Sequence, residues 1–117
     1  ALERHGVRFA ERILPETERA AFHAAREPAR HLAKRFAAKE AFGKALGTGV
    51  ALPATLHAVR IEHDARGKPG YAYAPALAEY MRARGLVAHL SLSDEADWVV
   101  AFAVVEQREA SSASISS

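Results

Sequence analysis

The longest regular pattern of apolar and polar positions runs from residue 28 to about residue 46. Apolar side chains recur there at helical spacing, alanines fill much of the remaining circumference, and the interior has no proline. Pro28 suits a first helical turn, and Gly47 suits a left-handed C-cap. The pattern therefore predicts a central helix over 28–46, apolar on most of its sides.

Two shorter helical patterns come before it. Apolar positions in 2–14 are interrupted by Gly6, which indicates a helix end followed by a short helical or turn segment. Pro15 stands where a first turn tolerates proline and predicts a helix over about 15–26. We expect Glu16 and Glu18 in its first turn to complement the helix dipole.

The second half of the chain alternates between strand and turn patterns. It predicts a β-hairpin, a helix stopped by Gly85, and two further strands, over 57–63 with 70–73, 75–84, 87–93 and 98–106. The predicted fold is α+β, with an antiparallel-type sheet packed on the long central helix. We expect one domain over 1–108 and a disordered serine-rich tail over 109–117.

Composition excludes several kinds of protein. The 117 residues include no cysteine, so disulfide scaffolds, thiolate metal sites and thiol catalysis are excluded. No apolar run approaches the ~20 residues that span a bilayer, and no signal-peptide core is present, so we expect a cytoplasmic protein. The opening reads as mid-helix without an initiator methionine, so we expect further residues before Ala1.

The segment 26–44 is locally basic, although the formal net charge is only +2. Within it Glu40 and Lys44 lie one helical turn apart and point to the same side of the predicted helix. They could form an ordinary surface ion pair. Because Ala33 and Ala37 leave space beside them, they could instead bind a magnesium-bound pyrophosphate, the carboxylate holding the cation and the lysine offsetting phosphate charge.

Three other motifs each allow a structural and a functional interpretation. Gly47-Thr48-Gly49 is either a plain C-cap with a turn or a site where backbone N–H groups approach a phosphate. Strict alternation over 89–93 places His89, Ser91 and Ser93 on one strand face, which either meets solvent or lines a phosphate site. Arginines stud the first residues and form either a solvated face or a surface for an acidic helix, at Arg4, Arg8, Arg12 and Arg19.

Taken together, these landmarks resemble the phosphopantetheinyl transferase superfamily in its short bacterial holo-[acyl-carrier-protein] synthase branch. The matching residues are Arg35-Phe36-Ala37-Ala38-Lys39-Glu40-Ala41, Lys44-Ala45 and Gly47-Thr48-Gly49, with 8–14, 67–69 and 89–94 in the same order. The resemblance implies a magnesium-dependent transferase that moves 4′-phosphopantetheine from coenzyme A to a serine of apo-acyl carrier protein in fatty acid biosynthesis. It also implies a homotrimer with active sites at subunit interfaces.

The resemblance also implies roles for individual residues. Glu40 would be a magnesium ligand, and Lys44 would contact the coenzyme A phosphates. Arg35, Lys39, Gly47 and Thr48 would lie near the coenzyme, and His89, Ser91 and Ser93 would approach it from the strand side, across the interface. The acidic recognition helix of the carrier protein would meet Arg4, Arg8 and Arg12.

One family feature is not in this sequence. Family members begin with a strand of the type Gly-Ile-Gly-x-Asp, whose aspartate is the other magnesium ligand, and we expect that carboxylate from residues before Ala1. The base that takes the serine proton stays open between Glu40 and a metal-bound water. The residues would also allow a non-catalytic coenzyme A or nucleotide-binding module, or a carrier-protein adaptor.

Overall fold

The computed structural model describes residues 4–108, with side chains from residue 6 onward. Four helices and four strands follow in the order α1 (Arg4–Ile13), α2 (Glu16–Ala24), α3 (Pro28–Leu46), β1 (Val59–His63), β2 (Pro69–Tyr73), α4 (Pro75–Ala83), β3 (Leu86–Asp94) and β4 (Val99–Gln107). The Arg4 side chain and the predicted tail over 109–117 lie outside the described residues.

Helix α3 has the bounds that its sequence predicts. Pro28 occupies the first turn, where a missing N–H costs nothing, and Gly47 ends the helix in the left-handed region at φ 91°. The Gly47 N–H donates to the carbonyl oxygens of Gly43 and Lys44 at 3.0 and 3.1 Å. Proline at one end and glycine at the other therefore set the length of the helix that carries Glu40.

Helix α1 corrects one expectation, because it continues through Gly6 without a break. A glycine inside a helix costs about 1 kcal/mol relative to alanine. Packing offsets that cost, since Ala10 and Ile13 of α1 are both 1% exposed and join a cluster with Phe22 and Leu32. Tertiary burial thus overrides the local signal.

The strands form two antiparallel hairpins, β1 with β2 and β3 with β4. Val59 pairs with Tyr73 in the first hairpin, and Leu90 pairs with Ala103 in the second. The observed strands differ from the predicted ones by at most two residues at each end. The α+β class and the antiparallel pairing are confirmed, with the two hairpins as separate ladders.

Two apolar clusters lie on either side of α3. Leu32 belongs to the cluster with α1 and α2, whereas Ala38 and Phe42 belong to a second cluster with both hairpins and α4. Helix α3 is therefore central, as predicted, and Glu40 and Lys44 are among the residues that it exposes. Residues 4–108 contain no helix with the length and hydropathy that a membrane crossing requires.

Candidate active site

An open groove runs between α3 and β4. Its volume is about 530 Å³. The α3 wall consists of small residues with one carboxylate and one ammonium, and the other wall is a stretch of β4: Ala37, Glu40, Ala41, Lys44, Ala45 and 99–103. The alanines make room, as the sequence indicated for Ala37. We call this space the Glu40 groove.

Glu40 and Lys44 reach the Glu40 groove with their charged ends exposed. Within the described part of the chain, neither side chain forms an ion pair with the other or with a third residue. The interpretation as an ordinary surface ion pair therefore does not hold in this structure. A carboxylate and an ammonium that share a groove without neutralising each other can bind a ligand that carries both a cation and phosphates.

The number of carboxylates in the Glu40 groove determines how the groove could bind a magnesium ion. Among the residues that the structure describes, no three His, Asp or Glu side chains cluster as metal ligands. Glu40 contributes one carboxylate. Magnesium commonly takes one or two carboxylates, completes its octahedron with water, and shares substrate phosphates. The groove therefore fits a magnesium ion that arrives together with a pyrophosphate.

The turn after α3 is tightly folded onto the helix. The N–H groups of Gly47, Thr48 and Gly49 all donate to the Gly43 carbonyl oxygen, at 3.0, 3.1 and 2.9 Å. The Thr48 hydroxyl donates to the Gly49 carbonyl at 2.9 Å. These amides are occupied within the chain, so the C-cap interpretation holds. A coenzyme near Gly47 and Thr48 would meet the surface of the turn and not these three N–H groups.

Lys39 lies away from the Glu40 groove, although it directly precedes Glu40. Its side chain is 1% exposed and pairs with Glu18, which is 7% exposed. Burial lowers the pKa of Lys39, against the opposing effect of Glu18. The structure therefore does not bring Lys39 to a coenzyme surface. Glu18 lies in the first turn of α2, as predicted, but its carboxylate is buried against Lys39 and does not face solvent.

Arg35 lines a different, smaller cavity of about 160 Å³ on α3 and β1. Its guanidinium donates to His31 Nε2 at 3.3 Å and to the Ile61 carbonyl oxygen at 3.2 Å. Burial, together with the charges of Arg35 and Lys34, lowers the pKa of His31 and of His63, which line the same cavity. Arg35 is thus half-buried in a basic pocket that is separate, within one chain, from the Glu40 groove.

The predicted strand residues share the outer face of the second hairpin. His89, Ser91 and Ser93 are exposed on β3, and their cross-strand partners on β4 are Val104, Phe102 and Val100. Those partners are exposed large apolar residues, at 44%, 65% and 44%. His89 Nε2 lies 2.8 Å from Glu106 Oε2. None of the three β3 residues lines the Glu40 groove of its own chain.

The predicted carrier-binding arginines lie on another surface. Arg8 and Arg12 are exposed one turn apart on α1 and line a cavity of about 840 Å³ together with the 50–57 loop. Arg19 does not join them, because it donates to the carbonyl oxygens of Leu14 and Glu11 at 3.0 and 3.3 Å. The structure therefore separates a cationic α1 surface from the Glu40 groove.

Comparisons with known proteins agree on one family. The family model of the 4′-phosphopantetheinyl transferase superfamily matches residues 1–103. The chain is 68% identical over 108 residues to the holo-[acyl-carrier-protein] synthase of Aromatoleum aromaticum. The matched region covers 92% of this chain and 86% of that protein. The crystal structure of the holo-[acyl-carrier-protein] synthase from Neisseria meningitidis superposes with a TM-score of 0.83 at 48% identity, covering 87% of this chain and 82% of that one. The Bacillus anthracis holo-(acyl-carrier-protein) synthase in complex with CoA (3′,5′-ADP) has a TM-score of 0.73 at 33% identity, covering 87% and 83%.

Proposed function

Because this chain belongs to the 4′-phosphopantetheinyl transferase superfamily, we propose that it transfers the 4′-phosphopantetheine group of coenzyme A to a serine of an apo-acyl carrier protein. The products are holo-acyl carrier protein and adenosine 3′,5′-bisphosphate. The observation that carries the proposal is a family match over 1–103 that spans Glu40 and Lys44, the two charged residues of one open groove. The proposal places the reaction in the cytoplasm and in fatty acid biosynthesis, as the family resemblance implies.

Bond changes in the proposed reaction are confined to one phosphorus atom. The carrier serine oxygen attacks the β-phosphorus of coenzyme A, and the bond between that phosphorus and the bridging oxygen breaks. The leaving group, adenosine 3′,5′-bisphosphate, keeps the bridging oxygen and its electron pair. Catalysis of this kind depends mostly on positioning and on stabilisation of charge.

Lys44 has the geometry to stabilise the phosphates. Its exposed ammonium lies on the wall of the Glu40 groove and is not neutralised by an acidic side chain among the described residues. A cation in that place binds the pyrophosphate and offsets the negative charge that grows on the leaving phosphate. Lys44 is therefore the residue to which we assign charge stabilisation.

Glu40 has two roles in the proposal. Its carboxylate would hold magnesium, which when bound supplies positive charge to the pyrophosphate oxygens. A carboxylate in this position also accepts the proton that the serine hydroxyl loses, directly or through a water. Both roles need an ionised, solvent-accessible side chain, and Glu40 is exposed in the groove.

The outer face of the second hairpin supports a homotrimer with interfacial active sites. Val100, Phe102 and Val104 form an exposed apolar row beside His89 and the two β3 serines. Burying such a row against a second copy would remove apolar surface from water. It would also carry His89, Ser91 and Ser93 to a neighbouring copy, where they would approach a coenzyme held near that copy's Glu40 groove.

The α1 surface supports binding of the carrier protein. Arg8 and Arg12 are exposed and sit beside an open cavity that also exposes Val50. An acidic helix would find complementary charge there, with apolar contact at the rim. We assign this surface to the carrier protein, and we assign Arg4 to it on the family resemblance alone.

The deciding experiment incubates the full-length protein with apo-carrier, coenzyme A and magnesium, and records the intact mass of the carrier. A gain of one phosphopantetheine is expected. If the carrier mass stays unchanged while coenzyme A still binds, the protein is a binding module and the transferase proposal is wrong.

Glu40→Gln tests the assignment within the groove. The variant removes the carboxylate at constant size, so transfer should be abolished while the fold is kept. Glu62→Gln is a matched control, because Glu62 is an exposed glutamate on β1 outside the Glu40 groove. Full activity of the Glu40→Gln variant would remove Glu40 from both roles.

A further inference from the structure

A buried, fully hydrogen-bonded ion pair joins α2 to α3. The Lys39 ammonium donates to Glu18 Oε1 at 2.7 Å, to the Leu56 carbonyl oxygen at 2.7 Å and to the Val59 carbonyl oxygen. Glu18 Oε2 accepts from the Ile61 N–H at 2.8 Å. All three ammonium hydrogens and both carboxylate oxygens therefore have partners, and none is left for a ligand.

Helix α1 is linked to the Glu18–Lys39 pair through residues beside Glu18 and in the loop after α3. Glu18 lies on α2, and its neighbour Arg19 donates to the carbonyl oxygens of Leu14 and Glu11 at the end of α1. His57 Nε2 makes a further hydrogen bond to the Glu11 carbonyl oxygen, at 2.7 Å. Helices α1 and α2 are thus held as one unit, and, among the residues that the structure describes, Glu18 makes the ion pair that attaches this unit to α3.

The Glu18–Lys39 pair differs from the apolar packing around it because its hydrogen bonds are directional. Apolar contacts also join the helices, such as Phe9 to Phe36, whose ring centroids lie 6.3 Å apart. Apolar contact is non-directional, whereas hydrogen bonds require defined distances and angles. Lys39 and Glu40 are successive residues about 100° apart around α3, so fixing Lys39 also fixes where Glu40 points.

We propose that Glu18 and Lys39 are positioning residues that fix the distance and orientation of the α1 carrier-binding surface relative to Glu40. This inference rests on the proposed function, because that relative position matters only if a carrier serine docked through α1 must reach a coenzyme in the Glu40 groove. Neither residue touches a substrate. Their effect is on how often a bound carrier presents its serine in a productive geometry.

The main test replaces the pair by apolar side chains of similar length, Glu18→Leu with Lys39→Met. Replacing both partners avoids a lone buried charge, and such replacements commonly keep a protein folded. The surfaces of α1 and of the Glu40 groove are unchanged, so KM for the carrier and affinity for coenzyme A should change by about twofold at most. Misplaced reactants lower turnover, and kcat should fall about 10- to 100-fold.

A control separates positioning from stability. Leu77→Ala removes a fully buried side chain of α4 in the cluster with both hairpins, away from α1 and α2. It should lower the urea midpoint but leave the kcat of the folded enzyme near that of the wild type. If the double variant unfolds cooperatively and has a kcat within about twofold of the wild type, the pair is only structural and the inference is wrong.

Glu18→Asp keeps the inference testable if the double variant does not fold, because it leaves Lys39 paired with a negative charge. The aspartate keeps both acceptor oxygens but is one methylene group shorter, so it cannot reach both Lys39 and the Ile61 N–H at the present separation of α2 and α3. Its kcat should also fall with an unchanged affinity for coenzyme A, and an unchanged kcat or a parallel loss of coenzyme binding would overturn the inference. A wild-type protein that transfers nothing would instead refute the proposed function.

Discussion

Gly43 is the point of closest backbone approach between α3 and the turn that follows it. A Cβ atom placed on Gly43 would lie 2.5 Å from the Gly49 carbonyl oxygen and 2.6 Å from its carbon. The same Gly43 presents its own carbonyl to three amides of the turn. Only a residue without a side chain allows this turn to close against the groove-bearing helix.

We predict that Gly43→Ala destabilises the protein although alanine is the better helix former. The clash is with backbone, which cannot rotate away, and overpacking of this kind costs about 1–3 kcal/mol. The free energy of unfolding, measured with urea, should fall by that amount. Affinity for coenzyme A should fall as well if the turn lies against the coenzyme.

Gly70→Ala is the matched control for Gly43→Ala. A Cβ on Gly70 meets no heavy atom within 4 Å. The added methyl group should therefore leave the urea midpoint nearly unchanged. Equal losses in the two variants would show that the close approach of Gly43 to Gly49 is not what matters.

Ionisation of the Tyr73 phenol affects the stability of the protein at alkaline pH. Burial raises the pKa of Tyr73 from 10.0 to about 12. Burial also raises the pKa of Tyr71, whose hydroxyl donates to the Ala38 carbonyl oxygen at 2.6 Å. The unfolded chain ionises these phenols first, so their contribution to stability is complete below about pH 10 and is lost as the pH rises toward the folded pKa.

We predict that Tyr73→Phe reduces the alkaline loss of stability. Urea midpoints of both proteins at about pH 9 and about pH 11 give the comparison, and the difference between the two proteins isolates this phenol from other alkaline groups. The wild type should lose more stability between the two conditions. An identical loss in the variant would mean that Tyr73 ionises as easily folded as unfolded.

At the scale of elements, a salt-bridge clamp holds the turn of the second hairpin on α3. Asp94 accepts from Arg30 Nε at 2.5 Å and from Lys34 Nζ at 2.9 Å. Arg30 also donates to the carbonyl oxygens of Ala96 and Trp98 at 3.3 and 3.4 Å. The clamp contributes to holding β4 beside α3, and so to the width of the Glu40 groove.

We predict that acid opens the clamp before it unfolds the protein. Hydrogen bonds from Lys34 and Arg30 lower the pKa of Asp94 from 3.8. The clamp is therefore complete above that ordinary value and is lost as the pH falls through the lower, folded one. Trp98 is the one tryptophan in the sequence, so its fluorescence should report the opening as a transition below pH 3.8.

Two variants assign that acid transition. Asp94→Asn should remove it, because the amide has no charge to lose. Asp97→Asn changes an exposed aspartate in the same turn that makes no ion pair among the described residues, so it should keep the transition. A transition that persists in Asp94→Asn would mean that another group controls the turn.

At the scale of the whole molecule, the outer face of β3 and β4 bears on whether the protein acts as a single chain or as an oligomer. Phe102 is 65% exposed in the middle of an apolar row on that face. Exposed apolar rows of this kind commonly mark protein interfaces. The proposed trimer would cover the row and bring His89 beside another copy's groove.

Val104 belongs to the same row, is 44% exposed and, unlike Phe102, does not line the Glu40 groove. We predict that Val104→Asp breaks the assembly and lowers transfer activity together. A charge in the row would have to be buried without a partner, which opposes association. Sedimentation should give the mass of one chain for the variant and a larger mass for the wild type. Leu52→Ser is the control, since Leu52 is 84% exposed in the loop after α3 and should leave the mass unchanged. A wild-type protein with the mass of one chain would refute the trimer.

Much of the architecture could be predicted because the signals are local. Pro28 and Gly47 fix the ends of α3 through backbone geometry alone, and they do so wherever the helix packs. Alternation over 87–93 likewise predicts which side chains share a strand face, because the period of a strand is two residues. Glu40 and Lys44 on one side of a helix follow from spacing in the same way.

Other features depend on contacts between residues distant in the sequence. Glu18 has the position of an ordinary acid in a first turn, and only Lys39, 21 residues away, makes it a buried partner. The continuity of α1 through Gly6 depends on burial against α2 and α3. The amides of Gly47, Thr48 and Gly49 were open to two interpretations until the fold showed their acceptor.

The sequence by itself therefore determined most of the elements, their order, the family, and the placement of Glu40 and Lys44 on one side of α3. Backbone geometry and side-chain periodicity act over a few residues, so they can be read without knowing the fold. Tertiary structure alone decided which charges are buried and which stay free, because desolvation depends on what packs around a side chain. For that reason Glu40 is available in an open groove, while its neighbour Lys39 is enclosed with Glu18.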